Sequence, residues 1–324
     1  CGIIPEILMV CDKVIIEVER PTPYFLSIMA FGTAMPANKK FFEANKENYG
    51  AEATSLIYNG PFVMKEWVHE DHILLEKNPN YWNKNAIALD QVMVYMIADA
   101  ATSKVKFFNK ELDMTGVAGV DYAEFESKGY KLADYADGAT FYLEFNTTDP
   151  LMSNKKIRQA FSYALDRGAY ITQVMKDHSA PALAYVNPTM PGKAKSFRDE
   201  VGDLIKDNAP EEAKKLLDEG LAEVGVALAD AKFSMILDES DLNKTRGAAL
   251  QDMWKKNLGI DVTIELMPFK SRLQKMTDKD FQVVFAGWGP DYNDPMTFLD
   301  VFLTGGGNNH TYYSSEAFDK LIND

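Results

Sequence analysis

The residues with the most distinctive chemistry stand in one short run, Gly287-Trp288-Gly289-Pro290-Asp291-Tyr292-Asn293-Asp294-Pro295. Glycines flank an indole and two prolines punctuate the run, so the backbone must leave its strand here and expose groups to a cleft. Asp291 can offer a carboxylate to a cation. Asp before Tyr or Pro also bonds its own backbone, however, and residue types alone leave both roles open for Asp291 and Asp294. Trp288 is either core filler or a wall touching a ligand, and Gly287 and Gly289 suit close approach by another backbone. Paired carboxylates could instead serve a hydrolase such as a glycosidase, but two acids three residues apart beside Pro295 are poorly framed to straddle a bond. A calcium loop starting at Asp291 needs Gly at its sixth and Glu at its twelfth position, where Met296 and Phe302 stand.

Other chemistry is sparse. His69, His72, His178 and His310 are the only histidines. His69 and His72 sit across a predicted turn without a cysteine or third histidine nearby, and they read as solvated surface residues. Neither a Gly-x-Ser-x-Gly elbow, nor His-Glu-x-x-His, nor a phosphate-binding glycine loop occurs. No catalytic residue, metal site or cofactor is therefore expected, and the chain is read as a non-enzyme. Cys1 and Cys11 are the only cysteines, too few and too close to the start for a disulfide scaffold or a Cys-rich metal site.

A net charge of −14 would repel a polyphosphate backbone, so no nucleic-acid partner is expected. With 324 residues the chain exceeds the roughly 250 that one hydrophobic core supports, which predicts two lobes. No apolar run approaches the roughly 18 residues needed to span a bilayer, and nothing resembles an export signal. The chain begins without Met and stops inside an apolar helical pattern, Glu316 to Ile322, so it reads as a piece of a longer protein.

The elements that must position the run alternate in period. In the first lobe, placed at 1–139, Val14, Ile16 and Val18 predict a strand, Phe62 to Val68 and His72 to Lys77 a hairpin, and Val92, Val94 and Met96 a further strand. Asp99 caps a short helix carrying Val105 and Phe108. The second lobe, 140–324, opens with a strand from Phe141 to Phe145. Ser153 then caps a helix whose Ile157, Ala160, Phe161, Ala164 and Leu165 share one face. A helix begins at Pro210 and stops at Gly225, another covers Asp241 to Leu258, and Ile260, Val262, Ile264 and Leu266 switch to strand period. Helix then strand, repeated, predicts an α/β arrangement.

Three segments together resemble the family 5 extracellular solute-binding proteins, whose members include oligopeptide-, dipeptide- and nickel-binding proteins of ABC importers. They are Tyr58 to Phe62 with Lys65-Glu66-Trp67 and Glu76 to Trp82; Phe145-Asn146-Thr147 with Lys156 to Phe161 and Ala164 to Arg167; and Gly287 to Pro295 with Thr297-Phe298-Leu299. The chain resembles the middle of such proteins, lacking an amino-terminal part and the closing carboxy-terminal segment, with Cys1 an internal position rather than a lipid-bearing one. The resemblance implies a two-lobed periplasmic-binding-protein-like fold of type II, class C, with mixed sheets and flanking helices. The first lobe would be completed by the absent termini.

It further implies that an extended oligopeptide is captured in an interlobe cleft and delivered to ABC transporter permease subunits. Relatives bind their peptide as an added strand, with one carboxylate on its α-ammonium group. That carboxylate matches Asp291, with Trp288, Gly287, Gly289 and Tyr292 around it, Asn146 at the hinge and Asp294 left to the turn. A monomer outside the cytoplasm is expected, periplasmic or a cell-surface lipoprotein, reaching the membrane only through an anchor or permease outside this chain. The alternatives are a paired-carboxylate hydrolase, a nickel- or other small-solute-binding member, and a peptide chaperone or signalling receptor on the same lobes.

Overall fold

The computed structural model describes residues 6–10 and 13–324, and side-chain surroundings from residue 14 onward; Cys1 and Cys11, and the reading of Cys1 as an internal position, lie outside them. Strands run in the order β1 (Glu6–Val10), β2 (Lys13–Glu17), β3 (Phe62–Val68), β4 (His72–Lys77), β5 (Gln91–Tyr95), β6 (Thr140–Phe145), β7 (Phe233–Asp238), β8 (Val262–Met267) and β9 (Val283–Trp288). The helices are α1 (Phe25–Ile28), α2 (Lys39–Asn45), α3 (Ala100–Phe108), α4 (Tyr122–Ser127), α5 (Lys155–Tyr163), α6 (Arg167–Tyr170), α7 (Phe197–Val201), α8 (Pro210–Val224), α9 (Asp241–Leu258), α10 (Phe269–Thr277), α11 (Met296–Leu299) and α12 (Glu316–Asn323).

The chain divides into two compact units, one of residues 32–121 and a larger one of residues 1–31 with 122–324. The expected boundary between residues 139 and 140 falls inside the larger unit. The segment before β6 is tied there: His178 meets Asp134 at 2.6 Å, the Asn187 amide donates to the Ala139 carbonyl at 2.8 Å, and a Cβ on Gly138 would touch the Pro290 ring at 2.9 Å.

In the smaller unit β3, β4 and β5 form an antiparallel sheet, with Glu70 in the left-handed conformation at the β3–β4 turn. The Asp99 carboxylate caps α3 through the Thr102 amide at 2.7 Å. None of the unit's apolar side chains is fully buried; only Ser55 and Asn78 are.

The larger unit is built on a four-stranded mixed sheet in the order β6-β9-β7-β8, with β7 parallel to β8 and β9, and β6 antiparallel to β9. On one face, Ile157, Ala160 and Phe161 of α5, Leu217 and Leu221 of α8, and Leu250, Trp254 and Leu258 of α9 bury against Phe233, Met235 and Leu237. The Trp254 indole donates to the Phe161 carbonyl at 2.9 Å, so this large side chain is buried without an orphaned N–H. On the other face Met276 of α10 and Phe281 pack on Ile236 and Val284.

Local chemistry sets the ends of these helices. α5 is capped by Asn154 rather than the expected Ser153: the Asn154 side chain accepts from the Lys156 amide at 2.8 Å, while the Ser153 hydroxyl turns back to the Pro150 carbonyl. Pro210 opens α8 at its first position, and Gly225 and Gly259 close α8 and α9 with φ of 70° and 74°. Gly220 lets α5 and α8 approach closely, since a Cβ there would lie 2.7 Å from Ile157 Cγ1.

The chain leaves β7 through α9 to add β8 on one side, then returns to add β9 on the other side of β7. In open α/β sheets, ligands lie outside the carboxyl ends of the strands where the order reverses. Here that edge is formed by the end of β7, the start of α9 and the turn after Trp288.

Candidate functional site

The turn after β9 is held by one buried threonine. Thr297, 1% exposed, accepts the Trp288 indole N–H on its carbonyl at 2.7 Å and the Asp291 amide on its hydroxyl at 3.0 Å. Asp294 serves the turn: its carboxylate accepts from the Met296 amide at 2.9 Å and its carbonyl from the Thr297 amide at 3.1 Å. Trp288 packs beside Val186, Met190 and Phe298, so its ring is partly core, and its N–H is already used. Tyr292 stacks on Tyr24 with ring centres 4.9 Å apart and planes 10° from parallel, and its hydroxyl donates to Asp300 at 3.3 Å.

Among the described residues, no hydrogen bond or ion pair reaches the carboxylate of Asp291. It stands at the surface, yet partial loss of water raises its pKa above the ordinary aspartate value. Asp300 is also raised by burial, against the hydrogen bond from Tyr292, and the nearby charge of Asp291 adds to the rise. An acid that has lost solvent without gaining a partner is suited to a cationic ligand group.

Gly287 lies opposite Phe141 in the β6–β9 register, and a Cβ there would meet the Phe141 ring at 2.8 Å. Gly289 is open, with nothing within 4 Å of a Cβ position. The structure thus gathers Gly287, Trp288, Gly289, Asp291 and Tyr292 at one edge. Asn146 is not among them. It lies at the opposite end of β6, about 20 Å from Trp288 at the usual strand rise. It is 2% exposed: its amide N–H groups go to the Lys279 and Phe281 carbonyls at 3.1 and 2.9 Å, and its oxygen accepts from the Thr148 amide and hydroxyl. This is the strand-end cap, and every polar atom of the side chain is committed.

Two buried polar residues of this unit were not among those expected from the sequence. Glu144, 4% exposed, takes the Tyr142 hydroxyl at 3.0 Å on one oxygen, and its other oxygen is buried without a hydrogen-bond partner. Burial pushes its carboxyl up to about 7 despite the Tyr142 hydrogen bond and the charge of Arg272. It faces a recess of ≈ 200 Å³ shared with Arg158, Phe302, Thr311 and Tyr313. Arg246 of α9 is also buried, and it continues the core spacing of Leu250, Trp254 and Leu258. A charged residue at those four-residue intervals was the available clue. His69 and His72 meet separate carboxylates, Glu52 at 3.2 Å and Asp71 at 2.6 Å, and no group of three or more potential metal ligands occurs among the described residues.

An α/β sheet thus presents an unpaired acid and open glycine backbone at its carboxyl edge. The family model for the middle of bacterial extracellular solute-binding proteins, family 5, matches residues 11–310, and the chain belongs to that family. It is 36% identical over 321 residues to the oligopeptide-binding protein OppA of Bacillus subtilis, covering 96% of this chain and 58% of that protein. It is 34% identical over 310 residues to the dipeptide-binding protein DppE of the same organism, covering 95% and 56%. The chain therefore spans little more than half the length of these relatives. Among solved structures, Listeria monocytogenes OppA bound to peptide superposes with a TM-score of 0.84 at 32% identity, covering 98% of this chain and 64% of that one. The pheromone receptor PrgZ, solved for its mode of peptide binding, gives 0.86 at 26% identity, covering 98% and 64%. The fold is thus the α/β, mixed-sheet fold of periplasmic-type binding proteins. No helix among the described residues is long and apolar enough to cross a membrane.

Proposed function

We propose that the protein captures extended oligopeptides for an ABC importer, with Asp291 pairing the peptide's α-ammonium group and the Gly287–Gly289 backbone passing close to the peptide main chain. The observation that carries this reading is the unpartnered carboxylate of Asp291 beside the open Gly289 at the carboxyl edge of the sheet. Main-chain pairing tolerates many side chains, which suits a carrier of varied peptides. The oligopeptide- and dipeptide-binding names of the relatives support the ligand class. The partners are the permease subunits, and the protein works as a monomer outside the cytoplasm, periplasmic or anchored at the cell surface, without chemistry on its ligand. The hydrolase reading needs Asp294 as a second acid, and that carboxylate is spent on the turn.

The smaller unit belongs to the first lobe. A three-stranded sheet with no fully buried apolar side chain is marginal alone, and we assign its cover to sequence of the kind the longer relatives have.

Titration calorimetry of the complete protein with a short peptide and its N-acetylated form tests the site. Acetylation should weaken binding at least tenfold, Asp291→Asn should cost about 3 kcal/mol or more, and the peptide should be recovered intact by mass spectrometry. Equal affinity for the two peptides would return Asp291 to a simple turn residue.

A further inference from the structure

A tyrosine from the start of the chain clasps the turn that carries Asp291. Of residues 14–31 only Tyr24 is buried, at 9% exposure, although Leu26 close by is 81% exposed. The Tyr24 ring lies face to face with Tyr292, the residue after Asp291, with centres 4.9 Å apart and planes 10° from parallel. Among the described residues, the backbone hydrogen bonds of residues 22–31 stay within the segment, so side chains fasten it to the turn. Arg20 gives a second tie: its guanidinium donates to the Asn323 carbonyl at 2.9 Å and to the Asn323 side-chain oxygen at 3.3 Å, at the end of α12. The Arg20 side chain also reaches the Tyr24 hydroxyl, and its charge acts on Asp300.

Such a fastening is easily undone. A strand in a ladder leaves only with its hydrogen bonds, whereas one ring stacked on another parts by a local movement of a few loop residues. Tyr292 is pinned from two directions, by Tyr24 on its face and by Asp300 at its hydroxyl, 3.3 Å away. Thr297 meanwhile holds the Asp291 amide from α11. The turn thus has a permanent holder beside it in the chain and a removable one from the amino-terminal segment. Cover beside an ion pair lengthens its life, because attraction between opposite charges grows as water is kept away.

We infer that Tyr24 is a positioning residue for the ligand, a clasp whose stack on Tyr292 parts to admit a peptide to Asp291 and re-forms over it, so that this ring sets how long the peptide stays. The role rests on the capture of peptides proposed above, and it adds a group outside the run Gly287 to Pro295 that governs release. An aromatic stack contributes roughly a factor of two to ten beyond the area it buries, which is the scale of change expected in the rate of release.

Stopped-flow exchange of a tetrapeptide with a free amino end and a dye on its last side chain tests this on the complete protein. Tyr24→Ala should release the peptide about tenfold faster than wild type without slowing its uptake, and Tyr24→Phe, which keeps the ring, should stay within about twofold. Release within about twofold of wild type in Tyr24→Ala would overturn the clasp. So would slower uptake with unchanged release, the mark of a merely damaged turn. If Tyr24→Phe releases as fast as Tyr24→Ala, the hydroxyl does the holding and the stack does not. Amide hydrogen exchange of the wild-type protein gives a check free of any variant: residues 20–31 should exchange more slowly with the tetrapeptide bound, and equal exchange with and without it would also overturn the clasp. A failed clasp leaves the wild-type preference for the free over the N-acetylated peptide intact. Loss of that preference, or no uptake of peptide at all, would instead remove the reading of the whole site and this role with it.

Discussion

A carboxyl that loses its water without gaining a full set of partners holds its proton more tightly, and Glu144 is that case. Its pKa rises from 4.5 to about 7 in the folded chain. The folded state therefore binds this proton better than the unfolded one, so the residue costs nothing below about pH 4.5 and is increasingly destabilising as pH rises toward 7. Glu144→Gln should accordingly leave stability little changed at pH 4.5 and raise it by up to about 3 kcal/mol at pH 8. Denaturant unfolding of both proteins at the two pH values measures this, and equal differences at both would show that folding does not raise the Glu144 pKa. The exposed turn that holds Asp291 was legible from the sequence because prolines and glycines mark it, while a binding role for Asp291 came only from the family resemblance. Glu144 was not, because a strand written Thr-Phe-Tyr-Leu-Glu-Phe gives no sign of whether the face holding Tyr142 and Glu144 meets water or another layer.

At the scale of elements, period and punctuation carried most of the fold. Phe62–Val68, His72–Lys77, Asp241–Leu258 and the strand after Gly259 lie where alternation and start and stop residues place them. What a single element cannot reveal is its neighbour. The close contact of α5 and α8 depends on Gly220, which in sequence is merely a weak position in the middle of a helix. Gly220→Ala improves helix propensity yet pushes a methyl into Ile157, and Gly220→Val does so more severely. Thermal unfolding should show Gly220→Ala no more stable than wild type and Gly220→Val destabilised by about 1–3 kcal/mol. A stabilised Gly220→Ala would mean that the two helices part easily. Ser153 and Asn154 show the same limit on a smaller scale: both are good caps, and the hydroxyl's alternative acceptor at Pro150 decided between them.

Across the whole molecule, apolar burial is unevenly distributed. The sheet β6-β9-β7-β8 is enclosed by helices on both faces, whereas β3, β4 and β5 hold no fully buried apolar side chain, with Trp82, Met93 and Tyr95 exposed. Amide hydrogen exchange of this chain should find β7 and β9 protected far longer than β3 to β5, since opening the latter exposes little apolar surface. Comparable protection in both would refute that picture. The stretch before β6 has no strong period in the sequence, and its attachment through Asn187, His178 and Pro290 is made by residues far along the chain. Thr297 carries a different implication. By holding the Trp288 ring and the Asp291 amide from within the following helix, it gives the acid that we propose as the anchor a fixed address before any guest arrives. On that proposal, neighbouring walls are free to diverge among descendant proteins, so tastes for new cargo can evolve while the grip on the leading residue stays the same.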